Sequence, residues 1–177
     1  FDLWERAFYE LAKEYPMIKT DYTHIDATCM WMVKNPEWFD VIVTGNMFGD
    51  IISDEASVIG GSIGLLASAS VGEKYAMFEP IPGSYPQAKG KGIANPIASI
   101  LSAAMLLEHF ELHAEASLIR KAVEKSLKLH ITTPDINTKY DNVTTSKVGD
   151  FIEDYISNPK DTNLNFKNIH LGQSTII

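Results

Sequence analysis

The sequence predicts an α/β protein made of parts of two α/β domains, and three observations lead there. A β-branched run, FDVIVT at Phe39–Thr44, lies between stretches whose apolar residues recur at three- and four-residue steps, which gives the order helix, strand, helix. From Gly60 the texture changes to GGSIGLLASASVG, small and weakly periodic, as expected where a chain crosses between domains. Beyond it a Gly/Pro loop precedes three further helical patterns.

The first helix follows from Leu3, Trp4, Ala7, Phe8, Leu11, Ala12 and Tyr15 on one side and Glu5, Arg6, Glu10, Lys13 and Glu14 on the other. Asp2 with Glu5 resembles a capping box, and Pro16 stops the helix. A second helix covers Asp26–Lys34, ending at Asn35-Pro36. The strand Phe39–Thr44 leads through Gly45 into a third helix within TGNMFGDIISDEAS, Thr44–Ser57. Ligands in α/β folds gather beyond the carboxyl ends of strands, which is where TGNMFGD falls.

The texture change divides the chain into residues 1–60, residues 61–157 and a polar, aperiodic tail, residues 158–177, expected to be loosely held. In the second part Tyr75–Glu79 reads as a strand and Pro80–Gly92 as a loop. Asn95-Pro96 is a helix start, an N-cap followed by proline, and an apolar helix runs from it to about Phe110. The next helix, Ala114–Leu129, turns Leu118, Ile119, Ala122, Val123 and Leu127 inward. Thr133-Pro134-Asp135 breaks the pattern before a last helix over Ser146–Ile156.

At 177 residues and 45% hydrophobic, the chain can bury a core of domain size. Its net charge of −8 and lack of a basic stretch argue against nucleic acid and anionic membrane surfaces as partners. The lone Cys29 reads as a small core side chain and fits a reducing, cytoplasmic compartment. No apolar run approaches the roughly 18 residues that span a bilayer, and no signal-peptide pattern is present. The chain opens at Phe1 within a helical pattern, which suggests a fragment of a longer protein.

Asp50 and Asp54 stand one helical turn apart, so their Cβ atoms should lie about 5–6 Å from each other. A divalent cation such as Mg²⁺ or Mn²⁺ would offset their repulsion. On spacing alone, two solvated carboxylates near a helix start are the more common explanation. Asp26, in HIDAT, reads by itself as an N-cap. The five histidines show no metal-ligand spacing. The Pro80–Gly92 loop could expose N–H groups to an anion, but it has neither G-x-G-x-x-G nor the P-loop pattern.

Taken together and in order, DVIVTGNMFGDIISDEASVIGGSIGLLASAS (Asp40–Ser70), FEPIPGSYPQAKGKGIANPIASILSAAMLLEHF (Phe78–Phe110) and TPDI (Thr133–Ile136) resemble the isocitrate/isopropylmalate dehydrogenase family of decarboxylating β-hydroxyacid dehydrogenases, most closely its isopropylmalate branch. The resemblance extends to about Ser157 and implies the C-terminal half of that fold. It further implies that residues 1–60 belong to the dimer-interface and metal-binding domain and residues 61–157 to the dinucleotide-binding domain. Asp50 and Asp54 match the family's metal ligands. Asp26 matches a third aspartate that reaches the metal site of the partner subunit, hence a homodimer. Glu79, Gly83, Ser84, Tyr85, Pro86 and Gln87 match the cofactor loop. Ile93, Asn95 and Asp135 fall where the adenosine half of NAD lies, and Asn46 falls toward the nicotinamide end.

The implied activity is the Mg²⁺- or Mn²⁺-dependent oxidative decarboxylation of 3-isopropylmalate with NAD, a step of leucine biosynthesis. The family's general base, a lysine, its general acid, a tyrosine, and its substrate-clamping arginines precede Phe1. The resemblance therefore implies no catalytic acid or base in this chain, and no turnover by the chain alone. Three positions depart from the family pattern. Pro82 replaces a histidine that lies against adenine, Gln87 an aspartate that accepts from the ribose 2′-hydroxyl, and Lys89 an alanine. A neutral amide at Gln87 can still hydrogen-bond the ribose but rejects a 2′-phosphate less strongly. The alternatives are a sister enzyme acting on isocitrate, homoisocitrate or tartrate, and a non-catalytic binding module.

Overall fold

The computed structural model describes residues 2–136, 139 and 141–158. The chain divides into two compact units, Phe1–Ala56 and Ser57–Ile177, with the division falling inside one helix. The expectation for the tail lies, from residue 159 onward, outside the described residues.

In the first unit, helix α1 spans Asp2–Ala12, α2 spans Ile25–Lys34, and α3 starts at Asn46 and continues to Gly60. The capping box expected at Asp2 is replaced by a different bond. Asp2 lies inside α1, and its carboxylate accepts from Arg6 Nε at 3.0 Å. The apolar stripe of α1 is present, but Leu3, Trp4 and Leu11 remain exposed. After α2 a short 3₁₀ turn, Pro36–Trp38, brings Trp38 against Trp31 with ring centroids 4.9 Å apart. Lys34 Nζ lies 5.0 Å from the Trp31 ring, a cation–π contact.

The run Phe39–Thr44 corrects one expectation: it forms no strand among the described residues. β-branched residues favour extended backbone, but a strand also needs a partner's N–H and C=O groups. No described segment supplies them.

The second unit holds the only sheet among the described residues, an antiparallel pair of β1, Ala67–Val71, and β2, Ala76–Pro80. Its register places Ser68 opposite Glu79 and Ala69 opposite Phe78. The strand at Ala76 was legible, but β1 lies where the sequence read as a glycine-rich crossing. ASASV has small residues at four of five positions, too little contrast for a two-residue period to show.

Helices α4, Ile97–His109, α5, His113–Lys128, and α6, Thr145–Ser157, complete the unit. α4 packs on both strands and on α5, and α5 packs on α6. Ile97, Ala122, Val123, Ile131, Val148, Phe151 and Ile152 form the buried core, drawn from all three helices and the segment after α5. α4 and α5 end alike. Leu112 N–H bonds Leu107 C=O at 2.9 Å and Glu111 N–H bonds Glu108 C=O at 2.9 Å, while Ile131 and His130 repeat the pattern onto Ser126 and Leu127. These are Schellman turns, and their left-handed residues are Glu111 (φ 61°) and His130 (φ 57°) in place of glycine.

Candidate metal and cofactor sites

Asp50 and Asp54 occupy successive turns of α3, and both are exposed. α3 starts where the Gly45 carbonyl accepts the N–H of Gly49 at 2.9 Å, the first bond of the helical ladder. Asn46 is the first helical residue, one turn before Asp50, and is exposed. The donor set at Asp50 and Asp54 is purely hard oxygen, which suits Mg²⁺ or Mn²⁺ and not a soft metal.

Asp26 is not the N-cap that it resembles when read alone. His24 holds that position, without a side-chain cap bond. Asp26 is the second helical residue, is exposed, and accepts the N–H of Ala27 through Oδ1 at 2.8 Å. The helix start is secured instead by Thr28, whose buried hydroxyl donates to the His24 carbonyl at 2.9 Å. Among the described residues no three His, Cys, Asp or Glu side chains gather as a metal-binding group, so Asp26 does not join Asp50 and Asp54 within one chain. A hydrogen bond with Glu55 is the main cause that pushes the Cys29 thiol above its ordinary value, aided by burial. A protonated thiol is a poor nucleophile.

In the second unit Glu79 is an exposed residue of β2, opposite Ser68. Gly83, Ser84 and Tyr85 follow in irregular, exposed backbone, and Pro86 and Gln87 lie in a 3₁₀ turn, Pro86–Ala88, anchored by buried Ala88. Pro82 and Ile93 are half-buried and Lys89 is exposed. Nothing lies within 4 Å of where a Gly83 side chain would begin, so backbone is open to approach there.

Asn95 and Asp135, forty residues apart, meet directly: Asn95 Nδ2 donates to Asp135 Oδ2 at 2.9 Å. Asn95 is not the N-cap that the Asn-Pro pair suggested, since α4 starts one residue later with Pro96 in that position, but Asn95 Oδ1 still accepts the N–H of Ile97 at 3.0 Å. Two residues to which the sequence reading gave no role complete the arrangement. Ser62 Oγ donates to Asp135 Oδ2 at 2.5 Å, and Thr133 Oγ1 donates to Asp135 Oδ1 at 2.6 Å. Burial pushes the Asp135 carboxyl upward, but hydrogen bonds from Ser62, Thr133 and Asn95 outweigh it and hold the group below the usual aspartate range. An ionised acceptor with capacity left on Oδ1 suits hydroxyl or amine donors of a nucleotide. No hydrogen bond among the described residues links this network to Glu79 or to the Gly83–Gln87 loop. The available signal for Ser62 was local: a serine two residues before a glycine at a turn start.

The isocitrate/isopropylmalate dehydrogenase family model matches residues 1–152. The 3-isopropylmalate dehydrogenase of Bacteroides fragilis is 53% identical over 155 residues, covering 87% of this chain and 44% of that protein. That of Aquifex aeolicus is 51% identical over 135 residues, covering 76% and 37%. The chain thus spans under half the length of the curated relatives that it matches. Among solved structures, isocitrate dehydrogenase from Methylococcus capsulatus superposes with a TM-score of 0.84 at 40% identity, covering 88% of this chain and 46% of that one. A β-decarboxylating dehydrogenase from Thermococcus kodakarensis gives a TM-score of 0.78 at 38% identity, over 93% and 48%. Sequence match and backbone superposition each cover most of the chain, and the chain belongs to the isocitrate/isopropylmalate dehydrogenase family.

Proposed function

We propose that this chain carries the metal-binding and cofactor-binding half of an NAD-dependent 3-isopropylmalate dehydrogenase that works as a homodimer. The observation that carries the proposal is the pair Asp50 and Asp54, exposed one turn apart on α3 in a chain 53% identical over 155 residues to a 3-isopropylmalate dehydrogenase. When bound, the cation supplies Lewis acidity toward the oxygens of a 2-hydroxy acid, and NAD supplies the hydride acceptor.

The residues here bind and orient. Asp50 and Asp54 hold the cation from one copy of the chain and Asp26 reaches it from the other. Glu79 and the backbone of Gly83–Pro86 flank the dinucleotide, Gln87 bonds its ribose, and Ile93, Asn95 and Asp135 hold its adenosine half. Because Gln87 carries no negative charge, it bonds a ribose hydroxyl without repelling a 2′-phosphate.

Calorimetry with Mn²⁺ tests the metal assignment. Asp50→Asn should weaken Mn²⁺ binding about tenfold or more, since it removes one charged ligand; unchanged affinity would refute it. NADH formation tests the division of labour: the 177-residue chain with isopropylmalate, NAD and Mn²⁺ should give none, and the full-length enzyme should. The TM-score of 0.84 to an isocitrate dehydrogenase favours a second reading, a sister enzyme that oxidises isocitrate. A higher kcat/KM for isocitrate than for isopropylmalate in the full-length enzyme would select it.

A further inference from the structure

The contacts around Gly64 tie together three segments that are distant along the chain. Gly64 N–H donates to Ser62 Oγ at 3.0 Å, and the Ser62 hydroxyl in turn donates to Asp135 Oδ2 at 2.5 Å. Asn95 reaches the same oxygen, and Thr133 fixes the other. A single carboxylate therefore joins the turn before β1, the start of α4 and the segment after α5.

The closeness has a requirement. A side chain at Gly64 would begin 2.7 Å from Asn95 Cβ, 2.8 Å from Asp135 Oδ2 and 2.9 Å from Asn95 Nδ2. These are closer than van der Waals contact allows, and Gly64 is buried. Gly64 has no left-handed backbone to explain it, so its lack of a side chain serves the approach of Asn95 and Asp135.

We propose that Ser62 and Gly64 are positioning residues of the cofactor site: Ser62 orients the Asp135 carboxylate by a charge-assisted hydrogen bond, and Gly64 leaves the room in which Asp135 and Asn95 meet. A carboxylate held from both oxygens keeps one rotamer. Its remaining lone pair then points in a fixed direction, and the ligand does not have to order it on binding. Neither residue touches the reacting atoms. This rests on the reading that Asn95 and Asp135 hold the adenosine half of NAD.

The test is steady-state kinetics of the full-length enzyme with Ser62→Ala, Ser62→Thr, Gly64→Ala and Asp135→Asn. Ser62→Ala should raise KM for NAD about tenfold, the scale of one hydrogen bond to a charged group, while kcat changes less than about twofold. Ser62→Thr keeps the hydroxyl and should restore most of that KM. Gly64→Ala keeps every hydrogen-bonding group but forces them apart, and should raise KM at least as much as Ser62→Ala. Mn²⁺ affinity by calorimetry should stay at the wild-type value in all four, which separates positioning from general loss of structure.

A KM within twofold of wild type for both Ser62→Ala and Gly64→Ala, beside a raised KM for Asp135→Asn, would overturn the positioning roles and leave the cofactor reading standing. A wild-type KM for NAD in all four variants would remove the cofactor reading, and the positioning roles with it. A fall in kcat with KM unchanged would also overturn the proposal.

Discussion

Arg120 on α5 grips Glu108 on α4 with two parallel hydrogen bonds, Nε to Oε1 at 2.8 Å and Nη2 to Oε2 at 2.9 Å. The bond from Arg120 holds the Glu108 carboxyl below its ordinary range, against a smaller opposing push from burial. Both side chains remain substantially exposed, at 44% and 39%, so solvent screens most of the gain.

Arg120→Ala should therefore cost only about 0.5–1 kcal/mol at pH 7 and low salt, as read by urea unfolding. The pH dependence has a definite sign. A depressed carboxyl contributes stability that is complete above its unfolded value, about 4.3, and is lost as pH falls through its lower folded value. Wild type and Arg120→Ala should differ at pH 7 and converge at pH 2. A difference that persisted at pH 2 would assign the effect to packing of the Arg120 stem.

Glu111 sits at φ 61° in the turn that closes α4. The left-handed conformation costs a residue with a Cβ roughly 1–2 kcal/mol, part of which glycine returns as chain entropy. Glu111→Gly should thus stabilise the protein by up to about 1 kcal/mol, a rise in Tm of about 2–4 °C at this size. A lower Tm would mean that the Glu111 side chain makes a contact worth more than the strain.

These two turns also show what could be read from the sequence. α2, α4, α5 and α6 were legible to within two residues because their apolar spacing and stop signals, such as Asn35-Pro36, are local. The ends of α4 and α5 fell within one residue of the reading even though Glu111 and His130 fill positions that glycine normally marks. The missing strand at Phe39–Thr44 and the unexpected one at Ala67–Val71 have one cause: pairing depends on what lies alongside, and propensity reports only the segment itself. At the candidate sites, Asp50, Asp54, Asn95 and Asp135 stood out by resemblance. Ser62 did not, because its partner is 73 residues away, a relationship that no local spacing encodes.

Phe151 and Phe110 offer a contrast within one unit. Phe151 is 2% exposed at the centre of the core, whereas Phe110, just past α4, is 65% exposed. Phe151→Ala leaves a cavity among Ile97, Val148 and their neighbours and should cost about 3–5 kcal/mol. Phe110→Ala should change stability by no more than about 0.5 kcal/mol. Equal costs in denaturant unfolding would show that Phe110 is covered in solution.

The run Phe39–Thr44 predicts the behaviour of the chain in solution. Val41 is 83% exposed and Val43 58% exposed, while Ile42 between them lines a cleft of about 340 Å³ together with Met32, Phe39 and Ile52. Ile42 is itself 38% exposed, so three apolar residues in succession leave surface open to solvent. The backbone N–H and C=O groups of the run have no ladder partner among the described residues, and an apolar, unpaired extended segment is a template for pairing with another chain. The isolated 177-residue chain should therefore self-associate at micromolar concentration, seen as a concentration-dependent mass in sedimentation. Lysines at the two more exposed positions, Val41→Lys with Val43→Lys, should suppress that association by charge repulsion while Ile42 keeps its place in the cleft. Circular dichroism should remain that of the parent chain. If the double variant associates as strongly as the parent with its helices intact, the association runs through another surface, and the exposed stripe of α1 at Leu3, Trp4 and Leu11 becomes the next to alter.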